Sequence, residues 1–212
     1  MIIAVDGPAA SGKGTIAKAL AEHFGLPHLD TGLLYRAVGR QVALTGGDPD
    51  DAADALAATV FDDALLADPE LRSETVGGLA SRVSLHPAVR QALYARQRAF
   101  ACQSGGAVLD GRDIGTVIAP EADVKLYVTA SVAARAARRC GEMAKRGETC
   151  TLAEITADLR LRDDRDRDRA TAPLRAAADA LVLDNSALTA AESVAAAIRM
   201  VEERTSKLGK FA

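Results

Sequence analysis

The chain of 212 residues sets 26 Lys and Arg against 29 Asp and Glu, for a formal charge of −3 and a pI near 5.7. That balance excludes a general nucleic-acid binder, whose footprint is basic, so any anion site must be a local concentration of Arg and Lys. No apolar run approaches the roughly 20 residues of a membrane span, and the length fits one domain with a proper core.

The opening Met1-Ile2-Ile3-Ala4-Val5-Asp6 predicts a buried strand, with no basic start followed by an apolar signal core. Gly7-Pro8-Ala9-Ala10-Ser11-Gly12-Lys13-Gly14-Thr15 follows and leads into a helix from Thr15 to Phe24. Gly7-x-x-x-x-Gly12-Lys13 has phosphate-loop spacing: small residues let successive backbone N–H groups converge on a triphosphate while the helix N-terminus adds positive potential. Lys13 is placed to reach the β- and γ-phosphates. Gly14 stands where Ser or Thr usually ligates magnesium, so Mg²⁺ is expected to be held mainly by phosphates and water, with no protein ligand assigned.

Leu26-Pro27-His28-Leu29-Asp30 predicts a second strand, and a helix from about Leu33 to Leu44 closes at Gly46-Gly47. The Ala- and Asp-rich stretch from Asp48 to Asp68 is helix-prone without a chemical signature. Asp68 to Arg82 leads into a further helix, and Pro87 starts another that carries Val89, Leu93 and Phe100. Ala107 to Asp110 predicts a third strand before Gly111-Arg112-Asp113-Ile114-Gly115, Val124 to Val128 a fourth before a helix from Ser131 to Cys140, and Leu181 to Leu183 a fifth before a terminal helix from Thr189 to Arg204. Short apolar strands alternating with helices imply a five-stranded parallel α/β sheet flanked by helices, with ligands gathering at the carboxyl ends of the strands, where Asp6, Asp30 and Asp110 fall.

Two cationic segments stand out. After the fourth strand, Arg135, Arg138 and Arg139 share one side of a helix that leads into the polar segment Cys140 to Thr151, expected to be mobile and to close over bound nucleotide. Then Leu152, Ile155 and Leu159 form an inward stripe that continues through Arg162, Asp166 and Arg169, while Asp163, Arg167 and Asp168 face outward as a solvated ion-pair surface. Burying arginines makes sense mainly where anionic groups meet them. Cys102, Cys140 and Cys150 are odd in number and lack CxxC spacing, which points to a reducing cytoplasm. His23, His28 and His86 lie in no constellation and are assigned structural or surface roles.

Taken together, the Gly7–Thr15 loop, Asp30-Thr31-Gly32-x-x-Tyr35-Arg36, Ala80-Ser81-Arg82-Val83 with Val89-Arg90, Asp110-Gly111-Arg112-Asp113-Ile114-Gly115-Thr116 and Arg162-Asp163-Asp164-Arg165-Asp166-Arg167-Asp168-Arg169 resemble the bacterial cytidylate kinases. The blocks occur in family order. The resemblance implies a P-loop kinase domain over residues 1–212, with a core of about 1–35, 106–138 and 153–212, a nucleoside-monophosphate-binding insert at about 36–105 and a small lid at about 139–152. It implies ATP with Mg²⁺ as phosphoryl donor and CMP or dCMP as acceptor, in a cytoplasmic monomer that binds neither nucleic acid nor membrane.

Position by position, the resemblance gives Gly7, Pro8, Ala9, Ala10, Ser11, Gly12, Lys13, Gly14 and Thr15 to ATP. Ser81, Arg90 and Asp113 go to the cytosine, Arg162 and Asp166 to the sugar, and Tyr35, Arg36, Arg112 and Arg169 to the acceptor phosphate, with the Thr31 hydroxyl near the acceptor. Lys13, Arg138, Arg139 and Arg169 are the expected catalytic cations. Cytosine offers an amine beside ring acceptors, so Asp113 suits the amine and Arg90 the acceptors; uracil reverses that edge. Longer members of the family carry strand-like alternation in the insert, whereas Ala52 to Arg72 is short and alanine-rich, so the insert is expected to be reduced and more helical. Two alternatives remain: another small-molecule or UMP/CMP-type kinase on the same scaffold, and a nucleotide-gated switch. Against the switch, Asn185 is the one asparagine, so a guanine-reading Asn-Lys-x-Asp motif is absent.

Overall fold

In the computed structural model residues 1–207 and 209 are described; the last positions of the expected core, 208 and 210–212, lie outside them. The described chain forms two compact units, Met1–Leu29 with Ala101–Ala212, and Asp30–Phe100.

The first unit is built on a five-stranded sheet of β1 (Ile2–Asp6), β2 (His28–Asp30), β3 (Ala107–Gly111), β4 (Val124–Thr129) and β5 (Leu181–Asp184), in the order β2-β3-β1-β4-β5. β1 pairs in parallel with β3 and β4, and β4 with β5. As the central strand, β1 is covered on both faces, which is why Ile3, Ala4 and Val5 are apolar without alternation and fully buried. Parallel pairing brings the β1, β3 and β4 tips to one edge, with Asp6 opposite Gly111 and Tyr127.

Helices α1 (Lys13–Phe24) and α8 (Ala190–Lys207) bury Ile16, Leu20, Ala197 and Val201 against Ile3, Val5, Leu126 and Val128. Helices α6 (Val132–Lys145) and α7 (Leu152–Asp168) share a smaller cluster of Ala9, Ala136, Met143, Ile155 and Leu159. Ser131 caps α6, and Thr151 with Glu154 forms a reciprocal capping box on α7. α6 continues past its expected end at Cys140 to Lys145, because Met143 is buried in that cluster and holds the extra turn.

The second unit is helical. α2 (Thr31–Thr45), α3 (Ala52–Ala57), α4 (Glu74–Val83) and α5 (Pro87–Ala101) are joined through two 3₁₀ turns, Asp63–Ala67 and Pro69–Arg72. Leu34, Val38, Val42, Ala55, Val83, Val89 and Leu93 form its core. Gly39 permits the close approach of α2 and α4, since a Cβ there would stand 2.8 Å from Leu79 Cβ. Among the described residues this unit holds no strand beyond Asp30, in keeping with the alanine-rich composition of Ala52 to Arg72.

Candidate active site

The loop between β1 and α1 is shaped by close backbone contacts. A Cβ on Gly7 would lie 2.1 Å from Val128 O, so only glycine lets the loop leave the sheet at this point. Gly12 takes φ 83° as the N-cap of α1, and Ala10 holds φ 57°, a left-handed conformation that costs a non-glycine residue on the order of 1 kcal/mol. Strain of this kind persists only where neighbours fix it, and two do. Asn185 Nδ2 donates to Ser11 O at 2.9 Å, and Arg135 Nη1 donates to Ala9 O at 3.1 Å. Ser11 is itself buried, and its Oγ makes no hydrogen bond among the described residues.

Both anchoring groups lead back to α6. Arg135, 3% exposed, also donates Nε to Ala130 O and forks onto Asp163 through Nη1 and Nη2. Arg138 donates to Asn185 Oδ1 at 2.9 Å and also to the Asn185 and Leu188 carbonyls. Arg139 pairs with Glu142 one turn on. Asp163, expected to face solvent, instead turns inward to Arg135, because a buried guanidinium on α6 has no other carboxylate among its hydrogen-bond partners. Arg167 and Asp168 are exposed as expected. The thiols of Cys140, on α6, and Cys150, in the segment after it, face each other at 3.0 Å, and that hydrogen bond is the leading cause that pushes the Cys150 pKa up.

The charged helix α7 presents Ile155, Leu159, Arg162 and Asp166 inward, with Arg169 buried just beyond its end; Leu152, the first member of the expected stripe, is 55% exposed. Arg112 Nε donates to Asp166 Oδ2 at 2.7 Å, and Arg169 Nη2 stands 3.7 Å from Asp113 Oδ1. The Gly111–Gly115 segment and α7 are thus joined at two points by alternating charge. Arg162 pairs with Asp158 at 2.8 Å, and Arg169 Nε donates to Ala172 O. Five expected acceptor contacts, Arg112, Asp113, Arg162, Asp166 and Arg169, therefore belong to one charged patch of the first unit.

Three further polar groups gather at the strand tips. Asp6 accepts the Ile114 and Gly115 N–H groups, and burial pushes its pKa up to about 6. Asp110 is the penultimate residue of β3, 3% exposed, with Oδ1 2.7 Å from His28 Nε2 and Oδ2 3.8 Å from where a Gly14 Cβ would stand. His28 thus has a partner in the site edge that its isolated position in the chain does not announce. Apolar strands ending in aspartate are a visible signal for Asp6 and Asp110, whereas nothing local marks Asn185 or Arg135.

Within the second unit, Arg90 is 8% exposed and its guanidinium lies 5.6 Å from the centre of the Tyr35 ring. Arg36 donates Nη1 to Leu71 O at 2.7 Å and to Ser73 O at 3.1 Å. Thr31 is buried at the start of α2, and the enclosed Ser81 Oγ makes no hydrogen bond among the described residues. Arg82, next to Ser81, is taken up by Asp48 and Asp50.

Comparison with known proteins decides the lineage. The family described as cytidylate kinase matches residues 3–203. The chain belongs to the cytidylate kinase family. Its relatives include the cytidylate kinases of Cereibacter sphaeroides (strain KD131 / KCTC 12085), 58% identical over 95% of both chains, and of Rhodopseudomonas palustris (strain HaA2), 54% identical over 95% of this chain and 96% of the other. The cytidylate kinase of Caulobacter sp. (strain K31) is 53% identical over 98% and 97%. A crystal structure of an uncharacterized protein from Eubacterium ventriosum ATCC 27560 shares the fold, with a TM-score of 0.55 at 15% identity over 96% of this chain and 98% of that one. As a cytidylate kinase family member the chain is a phosphotransferase, and no helix among its described residues is long and apolar enough to cross a membrane.

Proposed function

We propose that this family member transfers the γ-phosphoryl group of ATP in line to CMP or dCMP, giving CDP or dCDP, with the roles divided as follows. The Gly7–Thr15 loop takes the ATP phosphates on backbone N–H groups, and Lys13 neutralises charge at the transferred group. Arg112 and Arg169 draw the acceptor phosphate into line, Arg162 and Asp166 take the sugar, and Asp113 accepts from the cytosine amine. Thr31, Tyr35, Arg36, Ser81 and Arg90 supply the remaining acceptor contacts that the family resemblance gives them. Phosphoryl transfer asks for alignment and charge neutralisation more than covalent help, so guanidinium groups and a strained amide loop are sufficient equipment. Arg139 adds positive charge at the donor side, and Arg138 acts on the donor loop through Asn185.

The observation that carries this reading is the alternating-charge patch Arg112–Asp166 and Asp113–Arg169. A solvated surface has no need of buried arginines, whereas a phosphate can replace or join a carboxylate at each of them. Toward magnesium the residues offer one carboxylate, Asp110, whose Oδ2 stands 3.8 Å from where a Gly14 Cβ would be. Asp110 would hold the ion through water, with the phosphates as its main ligands, and the ion would supply further charge neutralisation. The three free thiols support action in a reducing cytoplasm, and the chain is expected to work as a monomer.

The test is ADP formation from ATP and Mg²⁺ with CMP, dCMP, UMP and AMP in turn, for the wild type and Asp113→Ala. CMP and dCMP are expected to lead, and Asp113→Ala is expected to lose acceptor use far more than ATP binding. Preferred turnover of UMP or AMP would overturn the reading.

A further inference from the structure

Asp6 closes β1 and immediately precedes the phosphate loop, and it is 5% exposed. A buried carboxylate at the tip of a central strand is unfavourable: desolvation raises its pKa to about 6 although two backbone N–H groups pull it down. A neutral residue would end the strand at lower cost, so the charge calls for a reason.

Both carboxylate oxygens are engaged. Oδ1 accepts from Ile114 N–H and Oδ2 from Gly115 N–H, each at 2.8 Å. These are the first two N–H groups of the single π-helical turn Ile114–Ile118, whose own N-cap residue, Asp113, makes no side-chain cap. The turn is capped from another strand, which leaves the Asp113 carboxylate directed toward Arg169. Glycine at the second of these positions leaves room for the Lys125 side chain beside the carboxylate. A Cβ on Gly115 would stand 3.4 Å from Asp6 Oδ2 and 3.1 Å from Lys125 Cδ.

We infer that Asp6 is a positioning residue for the acceptor, its carboxylate clamping the turn that carries Arg112 and Asp113 to the strand that carries the phosphate loop. The two halves of the reaction are then held at a fixed separation by one side chain, covalently continuous with Gly7 on one side and hydrogen-bonded to Ile114 and Gly115 on the other. A carboxylate suits the task because both its oxygens accept. An amide of the same shape offers one acceptor and turns its own N–H groups on the second backbone N–H. The inference rests on the reading of Arg112 and Asp113 as acceptor contacts.

The experiment is steady-state kinetics of Asp6→Asn with ATP, CMP and UMP, alongside Asp113→Ala and the double variant. The KM for CMP should rise about tenfold or more, and the CMP-over-UMP ratio of kcat/KM should fall by a similar factor. The KM for ATP should stay within about twofold, a split that general loss of structure does not produce. In the double variant the effect on CMP should be less than additive, because Asp6 acts through the turn that holds Asp113. Asp6→Glu keeps two acceptor oxygens but displaces them by one methylene; it should shift CMP in the same direction by a smaller factor, and it decides the matter if Asp6→Asn does not fold. Unchanged CMP constants and selectivity in the folded variant, or an equal rise for ATP and CMP, would overturn the inference. Should Asp113→Ala alone leave the CMP preference intact, the acceptor reading itself falls, and this inference with it.

Discussion

Helices α6 and α7 pack on each other and both are rich in arginine, yet they use it in opposite ways. On α6, Arg135 and Arg138 direct most of their donors at main-chain carbonyls, those of Ala130, Ala9, Asn185 and Leu188; Arg135 also forks onto Asp163, and Arg138 meets the Asn185 side chain that holds Ser11. On and just beyond α7, Arg162 and Arg169 stand against carboxylates, those of Asp158 and Asp113, with one Arg169 donor on the Ala172 carbonyl, and Asp166 receives Arg112. A guanidinium bonded to carbonyls is fixed into the fold, because no incoming anion can replace a peptide oxygen without unfolding the loop. A guanidinium bonded to a carboxylate can be shared with or handed to a phosphate, since the two anions offer it the same geometry. Arginine content alone therefore does not separate architecture from chemistry; the balance of carbonyl and carboxylate partners does.

The sharpest way to break this contrast is to remove one arginine of each kind. Arg169→Ala should lower kcat/KM for CMP by about a thousandfold with ATP binding near the wild type, while also costing stability because it leaves the buried Asp113 without this partner. Arg135→Met should act chiefly on stability. It strands Asp163 and the Ala9 carbonyl, at a cost of about 3–5 kcal/mol in urea unfolding. If Arg135→Met keeps its stability and loses only turnover, the contrast fails.

The carboxylate bonded only to main-chain amides gives a pH test. In the folded chain Asp6 titrates at about 6 against an ordinary 3.8, with Asp113 raising it, Lys13 lowering it, and Tyr127 and Lys125 on the neighbouring strand. The native state binds this proton more tightly than the unfolded chain. Its contribution is therefore full below 3.8 and is lost as pH rises through 6. Stability should fall by up to about 3 kcal/mol across that window on account of this group, and Asp6→Asn should remove that slope from a series of unfolding curves.

Smaller effects refine the picture. Asn185→Ala releases Ser11 O and one Arg138 contact together; the KM for ATP should rise about tenfold, at about 1–2 kcal/mol of stability, with the CMP constant nearly unchanged. Arg167→Ala, on the outer face of α7 where Arg167 pairs with Asp164 and Asp168, should change neither melting nor turnover measurably.

Much of this was legible along the chain. Apolar runs that end in Asp before or at a Gly locate β1 and β3, since a strand buried on both faces is apolar along nearly its whole length. The three-to-four spacing of Ile155, Leu159, Arg162 and Asp166 finds the inner face of α7, since helical side chains at that spacing stack on one side. The rule overreaches at Leu152, the first residue of α7, which is exposed, and at Asp163, which the spacing places outside. Asp163 is drawn in by Arg135, 28 positions earlier in the chain, and no local pattern encodes a partner at that distance.

What the sequence by itself determined is the sheet, the phosphate loop and the presence of cationic segments in family order, because periodicity, glycine spacing and charge are properties of neighbours in the chain. Only the tertiary structure decided which arginines are spoken for by the backbone, that Asp6 caps the turn after Asp113, that His28 meets Asp110 and that Asn185 holds Ser11. Each of these is a bond between residues brought together by parallel strand order and helix packing, and a buried polar group takes whichever partner the fold leaves within reach.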